Sequence, residues 1–171
     1  MSIGSSYDLP ISGYASLFGV QDVSGDVVRK GAFSASLLKL GGAPLPMLFG
    51  HETIMPIGVW DRIVEDAAGL FVQGRLLRAP KGRRHIRKLV EAGALSGLSI
   101  GYRAQRHSKR VAGGRELIEL DLWEVSIVAF PMLRGARLKL RGARPELPDR
   151  QPDTQRSPEL PLSQLPKRTA L

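Results

Sequence analysis

The chain has 171 residues, of which 43% are hydrophobic and 24% charged, enough for one globular domain with a core and a tail. It contains no cysteine, which excludes disulfides, thiolate metal sites and cysteine nucleophiles. The net charge of +9 permits a nucleic-acid partner, but the basic cluster at 81–88 carries no interleaved aromatic residues, so nucleic-acid binding is not expected.

Two further classes are excluded by pattern. His51, His85 and His107 show no metal-ligand spacing, so neither a metal site nor a cofactor is expected. No apolar run is long enough to span a bilayer, and residues 1–6 lack the basic start and apolar block of a signal peptide. We therefore expect no membrane association.

In chain order, short strand-like runs alternate with turn residues and two helical patterns. The predicted strands are 7–18, 45–51, 57–65, 70–77, 98–105 and 116–130. The helical patterns are 31–40, closed by Gly41-Gly42, and 81–94, the more clearly amphipathic of the two. These six runs indicate a sheet of about seven strands in all with two helices, which predicts a mostly β fold in the form of a closed or nearly closed barrel.

Composition changes near residue 141. The segment 141–171 holds six of the twelve prolines, charges of both signs and no aromatic residue. Such a segment buries too little apolar surface to offset the entropy of ordering it. The prediction is a domain at 1–140 followed by a Pro-rich disordered tail.

The stretch Gly97-Leu98-Ser99-Ile100-Gly101-Tyr102 is the most informative part of the chain. Side chains alternate along a strand, so Ser99 lies on one face between two glycines. Glycines in a strand often mark a close approach to the backbone, such as that of a scissile peptide. The alternative interpretation is a bulge or a crowded crossing with an ordinary serine.

Two other residues carry chemistry that a serine needs. If alternation holds along 116–130, Glu124 shares a face with apolar residues, where a carboxylate is costly unless paired. A bulge near Trp123 that turns Glu124 to solvent is the alternative. His51 leaves an apolar run beside Gly50 and could reach into a groove, or it could be a surface or capping residue.

A serine hydroxyl is a weak nucleophile unless a base takes its proton, and histidine suits that task near neutral pH. A carboxylate can orient the imidazole and stabilise its cation. His51, Ser99 and Glu124 supply these three groups, although their spacing says nothing about contact.

Several blocks in order carry a resemblance to a known family. They are Gly13-Tyr14-Ala15, Gly31-Ala32-Phe33, Pro46-Met47-Leu48 with His51, Pro56-Ile57-Gly58, Gly97 to Tyr102, and Leu122-Trp123-Glu124-Val125-Ser126-Ile127-Val128 with Pro131. Over residues 11–140 the chain resembles the HK97-type prohead (capsid maturation) serine proteases of tailed phages, also found in gene transfer agents. That family is similar in fold to the herpesvirus assembly proteases, with helices packed outside a β barrel.

The resemblance implies a serine endopeptidase in which Ser99 is the nucleophile, His51 the general base and Glu124 the orienting acid. Its implied substrate is the scaffolding region of the major capsid protein, and members of that family commonly process themselves as well. The implied location is inside the procapsid, in the cytoplasm of the bacterial host. Self-association is possible.

Two other functions compete with this hypothesis. One is a non-catalytic assembly or scaffold factor on the same fold. The other is a basic nucleic-acid-binding barrel, whose binding would weaken steeply with salt.

Overall fold

The structure is a computed structural model that describes residues 8–54, 56–78 and 84–141. Within these ranges it contains eight strands and two helices. The elements are β1 (Leu9–Leu17), β2 (Val27–Val28), α1 (Ser34–Leu40), β3 (Pro46–Phe49), β4 (Gly58–Glu65), β5 (Gly69–Leu76), α2 (Arg84–Glu91), β6 (Gly97–Lys109), β7 (Arg115–Val128) and β8 (Leu138–Leu140).

Most predicted elements are present with shifted ends. Every predicted strand has a counterpart, while the short β2 and β8 were not predicted. The first helix begins at Ser34 instead of residue 31, and the second covers Arg84–Glu91. Residues 1–7 and 81–83, together with the predicted tail from residue 142 onward, lie outside the described residues.

The eight strands form one sheet in the order β2-β7-β3-β4-β5-β1-β8, with β6 paired to β7. Strand β7 is central to the site because it pairs antiparallel with β6 and parallel with β3. The fold is mostly β with few helices, as predicted. Among the described strands, however, the sheet forms an open path, so the predicted barrel is not supported.

The start of β6 approaches β8 without forming a ladder with it. Leu98 N donates to Ala136 O at 3.0 Å, and Leu138 N donates to Ser96 O at 2.8 Å. Beyond this single bridge, a cavity of about 300 Å³ lies between β1 and β6 and is lined by residues of both. Because the contact of β6 with the segment before β8 stops at one bridge, no continuous ladder closes the sheet among the described strands.

Helix α1 is held by contacts from two strands. The Glu65 carboxylate, at the end of β4, accepts from the main-chain N–H groups of Gly31 and Phe33 just ahead of the helix. Ser36 Oγ accepts from Leu122 N on β7 at 2.8 Å. These contacts anchor the helix on the strand that also carries Glu124.

An ion pair between a buried carboxylate and a partly exposed arginine fixes the entry to β7. The Asp26 carboxylate is only 4% exposed and accepts from the Arg115 main chain at 2.8 Å and from its guanidinium at 3.0 Å. The hydrogen bond from the Arg115 side chain holds the pKa of Asp26 below its ordinary value, although burial opposes this. The pair therefore stabilises the folded state in its ionised form.

Asp26→Asn should lower the free energy of unfolding at pH 7 by about 2 kcal/mol, a typical contribution for hydrogen bonds to a charged group. Because the pKa of Asp26 is lowered by folding, the wild-type advantage is present above the ordinary carboxyl pKa and is lost as pH falls through the lower, folded value. Urea unfolding at pH 7 and at pH 3 measures this. A stability difference that is absent at pH 7, or does not shrink at pH 3, would contradict the assignment.

Candidate active site

A bulge in β7 decides where Glu124 points. Gly101 of β6 pairs with Glu124, but the next residue, Tyr102, pairs with Leu122, which leaves Trp123 as the extra residue. Leu122 and Val125 are both in the core, while Trp123 is 56% exposed. Of the two interpretations left open by the sequence, unbroken alternation along this strand is therefore the one that fails.

Glu124 nevertheless stays out of solvent. The second interpretation placed a bulge near Trp123, and that bulge is confirmed. Its further part, that the bulge turns Glu124 to solvent, was wrong. That residue is only 7% exposed. A buried carboxylate is costly unless it is paired, so its partners matter.

One partner is His51, which follows the end of β3. Met47 and Phe49 of β3 lie beside Val125 and Ile127 of β7, so the chain leaves β3 close to Glu124. His51 Nδ1 then lies 2.6 Å from Glu124 Oε1. The structure therefore brings two of the three predicted site residues into direct contact.

The His51 backbone is unusual. Its φ is +64°, and among the described residues it is the only non-glycine residue with a positive φ. Such a left-handed conformation costs roughly 1–3 kcal/mol and often marks a functional site. The main-chain N–H of His51 donates to Ser126 Oγ at 3.1 Å, which helps to hold the turn.

Ser126 completes a closed ring of hydrogen bonds. Its hydroxyl donates to Glu124 Oε2 at 2.7 Å while accepting from the His51 main chain. An ionised carboxylate can only accept, so opposite an ionised Glu124 the Nδ1 atom of His51 is the donor, and in the neutral imidazole Nε2 is then the acceptor. The His51 side chain is 46% exposed, so its imidazole is accessible to a substrate.

Ser99 lies on the same face of the sheet as this ring of contacts. It sits directly opposite Ser126 across the β6–β7 pair, just as Gly101 sits opposite Glu124. Side chains of directly opposed residues share a face, with Cβ atoms about 4.5–5.5 Å apart. Ser99 is 6% exposed. Ser99 and Glu124 therefore lie on one face of the sheet, and His51 contacts Glu124 from the turn after β3.

The glycines beside Ser99 have a reason within the chain itself. A Cβ on Gly101 would overlap the Glu124 side chain, including Oε1. A Cβ on Gly97 would meet Val128 O and Pro131. The close approach predicted from these glycines is real, but it is made by β7 and the segment after it.

A cavity of about 300 Å³ opens beside the candidate nucleophile. It is mostly apolar, with Asp22, Asp26 and Arg115 among its polar residues. The lining comprises Ala15, Ser16, Leu17, Val20, Asp22, Ser24, Asp26, Val28, Leu98, Ser99, Ile100, Tyr102, Arg115, Met132 and Leu133. A pocket of this volume has room for a side chain of a bound peptide.

Sequence reasoning missed Ser126 and this cavity. Ser126 had one usable signal, because it lies two residues after Glu124 on the same strand and hence on the same face. The cavity had no such signal, since its walls come from β1, β6 and two loops.

Across residues 8–54, 56–78 and 84–141, no group of three His, Asp or Glu residues could hold a metal ion. In that same part of the chain, no helix has the length and apolarity to cross a membrane.

Comparison with known proteins shows which family the chain is similar to. A model of the caudovirus prohead serine protease family matches residues 3–147. The prohead protease of Enterobacteria phage HK97 is 32% identical over 122 residues, which is 70% of this chain and 54% of that protein. The chain thus spans about half the length of this curated relative.

Solved structures show the same fold at low identity. The capsid assembly protease of bacteriophage T4 has a TM-score of 0.62 at 14% identity, covering 76% of this chain and 87% of that one. The KSHV protease bound to a hexapeptide phosphonate inhibitor has a TM-score of 0.57 at 15% identity, covering 79% and 65%. The varicella-zoster virus protease has a TM-score of 0.51 at 14% identity, covering 80% and 65%.

The herpesvirus-like fold that was predicted, apart from its closure into a barrel, agrees with these structural likenesses. The family match covers most of the chain, and the resemblance predicted from the motifs is confirmed by it and by the phage HK97 relative. The chain belongs to the caudovirus prohead serine protease family.

Proposed function

We propose that this chain is a serine endopeptidase of procapsid maturation, with Ser99 as nucleophile, His51 as general base and Glu124 as orienting acid. The observation that carries this proposal is the 2.6 Å contact between His51 Nδ1 and Glu124 Oε1, on the face of the sheet that also holds Ser99. That arrangement supplies the three chemical groups of a serine peptidase.

The reaction follows from the hydrogen bonds. Ser99 Oγ attacks the peptide carbonyl carbon while His51 Nε2 takes the hydroxyl proton. When the C–N bond breaks, His51 returns that proton to the leaving amine, and water then hydrolyses the acyl-serine ester by the same route. Glu124 keeps Nδ1–H oriented and stabilises the imidazolium.

The substrate proposed from the family is the scaffolding region of the major capsid protein, with the chain itself as a second proposed substrate. The proposed location is inside the procapsid within the bacterial host cell. Cleavage favours exposed flexible segments, which suits a scaffolding region. The cavity beside Ser99 offers room for a side chain next to the bond to be cut.

Ser99→Ala should lower cleavage of the major capsid protein by at least about 1,000-fold, because only the serine hydroxyl can form the acyl intermediate. The measurement is band conversion on gels with purified chain and capsid protein, followed by mass spectrometry of the products. Ser108→Ala is the matched control, since Ser108 is an exposed serine on the same strand.

A fluorophosphonate reagent gives an independent check, because it should label Ser99 in the wild type and leave Ser99→Ala unlabelled. A Ser99→Ala protein that still cleaves at a rate close to wild type would overturn the enzyme proposal. The alternative, a non-catalytic assembly factor on the same fold, would then remain.

Gly101→Ala should lower kcat by about 10- to 100-fold, because the new Cβ overlaps the Glu124 carboxylate and displaces it from His51. Gly13→Ala is the control, since a Cβ there overlaps the main chain of Arg137 and Leu138, which make no hydrogen bond to His51 or Glu124. Both variants should have a lower Tm than the wild type, so kcat should be measured per folded molecule. Equal kcat for the two variants would mean that crowding at Glu124 has no specific effect.

A further inference from the structure

Ser126 is a buried polar residue that the triad chemistry does not require. It has no exposed surface and lies on β7, two residues after Glu124 and directly opposite Ser99. A buried hydroxyl without partners would be destabilising, so its contacts define its role.

The hydrogen-bond directions at Ser126 follow from chemistry. The main-chain N–H of His51 can only donate, so Ser126 Oγ is its acceptor at 3.1 Å. The ionised Glu124 carboxylate can only accept, so the single hydroxyl proton of Ser126 points to Oε2 at 2.7 Å. One side chain therefore contacts both the backbone of the proposed base and the carboxylate that orients it.

The two contacts act on the same geometry from opposite ends. Glu124 receives one donor on each oxygen, the His51 ring on Oε1 and Ser126 on Oε2, so its plane cannot rotate freely. His51 is held at its ring by Glu124 and at its main chain by Ser126, in a strained left-handed turn.

We propose that Ser126 is a positioning residue, whose hydroxyl holds the Glu124 carboxylate and the His51 turn so that the imidazole faces Ser99. This inference rests on the proposed peptidase function. Ser126 does not touch the reacting atoms. It acts by keeping its two neighbours in the productive arrangement.

Removing the hydroxyl should lower kcat with little effect on KM. Ser126→Ala leaves the His51 N–H without its acceptor and Glu124 Oε2 without its donor, at a position with no exposed surface. We expect kcat to fall by about 10- to 100-fold, while KM changes by less than about threefold, because substrate contacts are not altered.

Ser126→Thr and Ser126→Val form a pair of equal size that differs in the hydroxyl alone. Thr should keep most of the kcat and Val should lose it to the same extent as Ala. Because both add the same methyl group to a buried position, crowding cancels in this comparison.

Ser36→Ala is the matched control for loss of a buried serine. Ser36 is 4% exposed, and its hydroxyl also accepts from a β7 main-chain N–H, that of Leu122 at 2.8 Å. Its side chain makes no hydrogen bond to His51 or Glu124. Ser36→Ala should lower Tm by about as much as Ser126→Ala does, and it should leave kcat unchanged.

Proton NMR gives a readout that does not depend on proteolysis. A His51 Nδ1–H bonded to a carboxylate gives a downfield, slowly exchanging resonance, which is assigned by its absence in His51→Gln. The resonance should be present in wild type, Ser36→Ala and Ser126→Thr, and be broadened or lost in Ser126→Ala and Ser126→Val.

The outcomes separate this inference from the proposed function. Equal kcat for Ser126→Thr and Ser126→Val, or an unchanged resonance in Ser126→Val, would overturn the positioning role. If the wild type cleaves no capsid protein and resists fluorophosphonate, the peptidase proposal fails, while the resonance still tests the role of Ser126 by itself. Loss of the resonance in Ser126→Val would then support that role without proteolysis.

Discussion

The buried carboxylate of Glu124 is the constraint on which the rest of the site depends. A charge taken out of water is costly unless it is paired and hydrogen-bonded, and Glu124 is 7% exposed. Its two oxygens are satisfied by the His51 ring and the Ser126 hydroxyl. Gly101 leaves the space that the carboxylate fills, and the bulge at Trp123 turns it to this face. Each of these features is explained by the need to hold one acid in place.

The His51 turn shows where stability is given up for geometry. A left-handed residue with a side chain costs roughly 1–3 kcal/mol, and a typical hydrogen bond contributes about 1 kcal/mol in return. Two hydrogen bonds, at its N–H and its Nδ1, therefore offset much of that cost. The strained conformation persists because residues of β7 bind His51 at its main-chain N–H and at its Nδ1. These two contacts fix the direction of the imidazole.

The sequence was enough to predict the residue types of the site and the strand that carries Ser99. It was not enough to predict the contacts among those residues. Alternation along Gly97–Tyr102 correctly separates Ser99 from Leu98, which is fully buried in the core. The same rule fails at Glu124, because a bulge inserts one residue and reverses every later side chain. A bulge depends on pairing with another strand, so the pattern of β7 alone could suggest it only as an alternative.

The same limit applies to Ser126 and to the overall closure of the sheet. Ser126 reads as an ordinary strand serine until the neighbouring β3 delivers the His51 main chain to it. Closure was predicted from the number of strands, but it depends on pairing between segments that are distant in sequence. Strand β6 meets the segment just before β8 only through the bridge of Gly97 with Arg137. Neither fact is local in sequence.

The open sheet also serves the chemistry proposed for Ser99. A nucleophile needs rigid partners on one side and free space on the other, because its base must be held while a substrate enters. Strand β7 supplies the rigid side through Glu124 and Ser126. The gap between β1 and β6 supplies the space, since Ser99 lines the cavity there. A substrate side chain in this cavity would therefore lie next to Ser99 on β6, while the residues that hold the proposed base lie on the neighbouring β7.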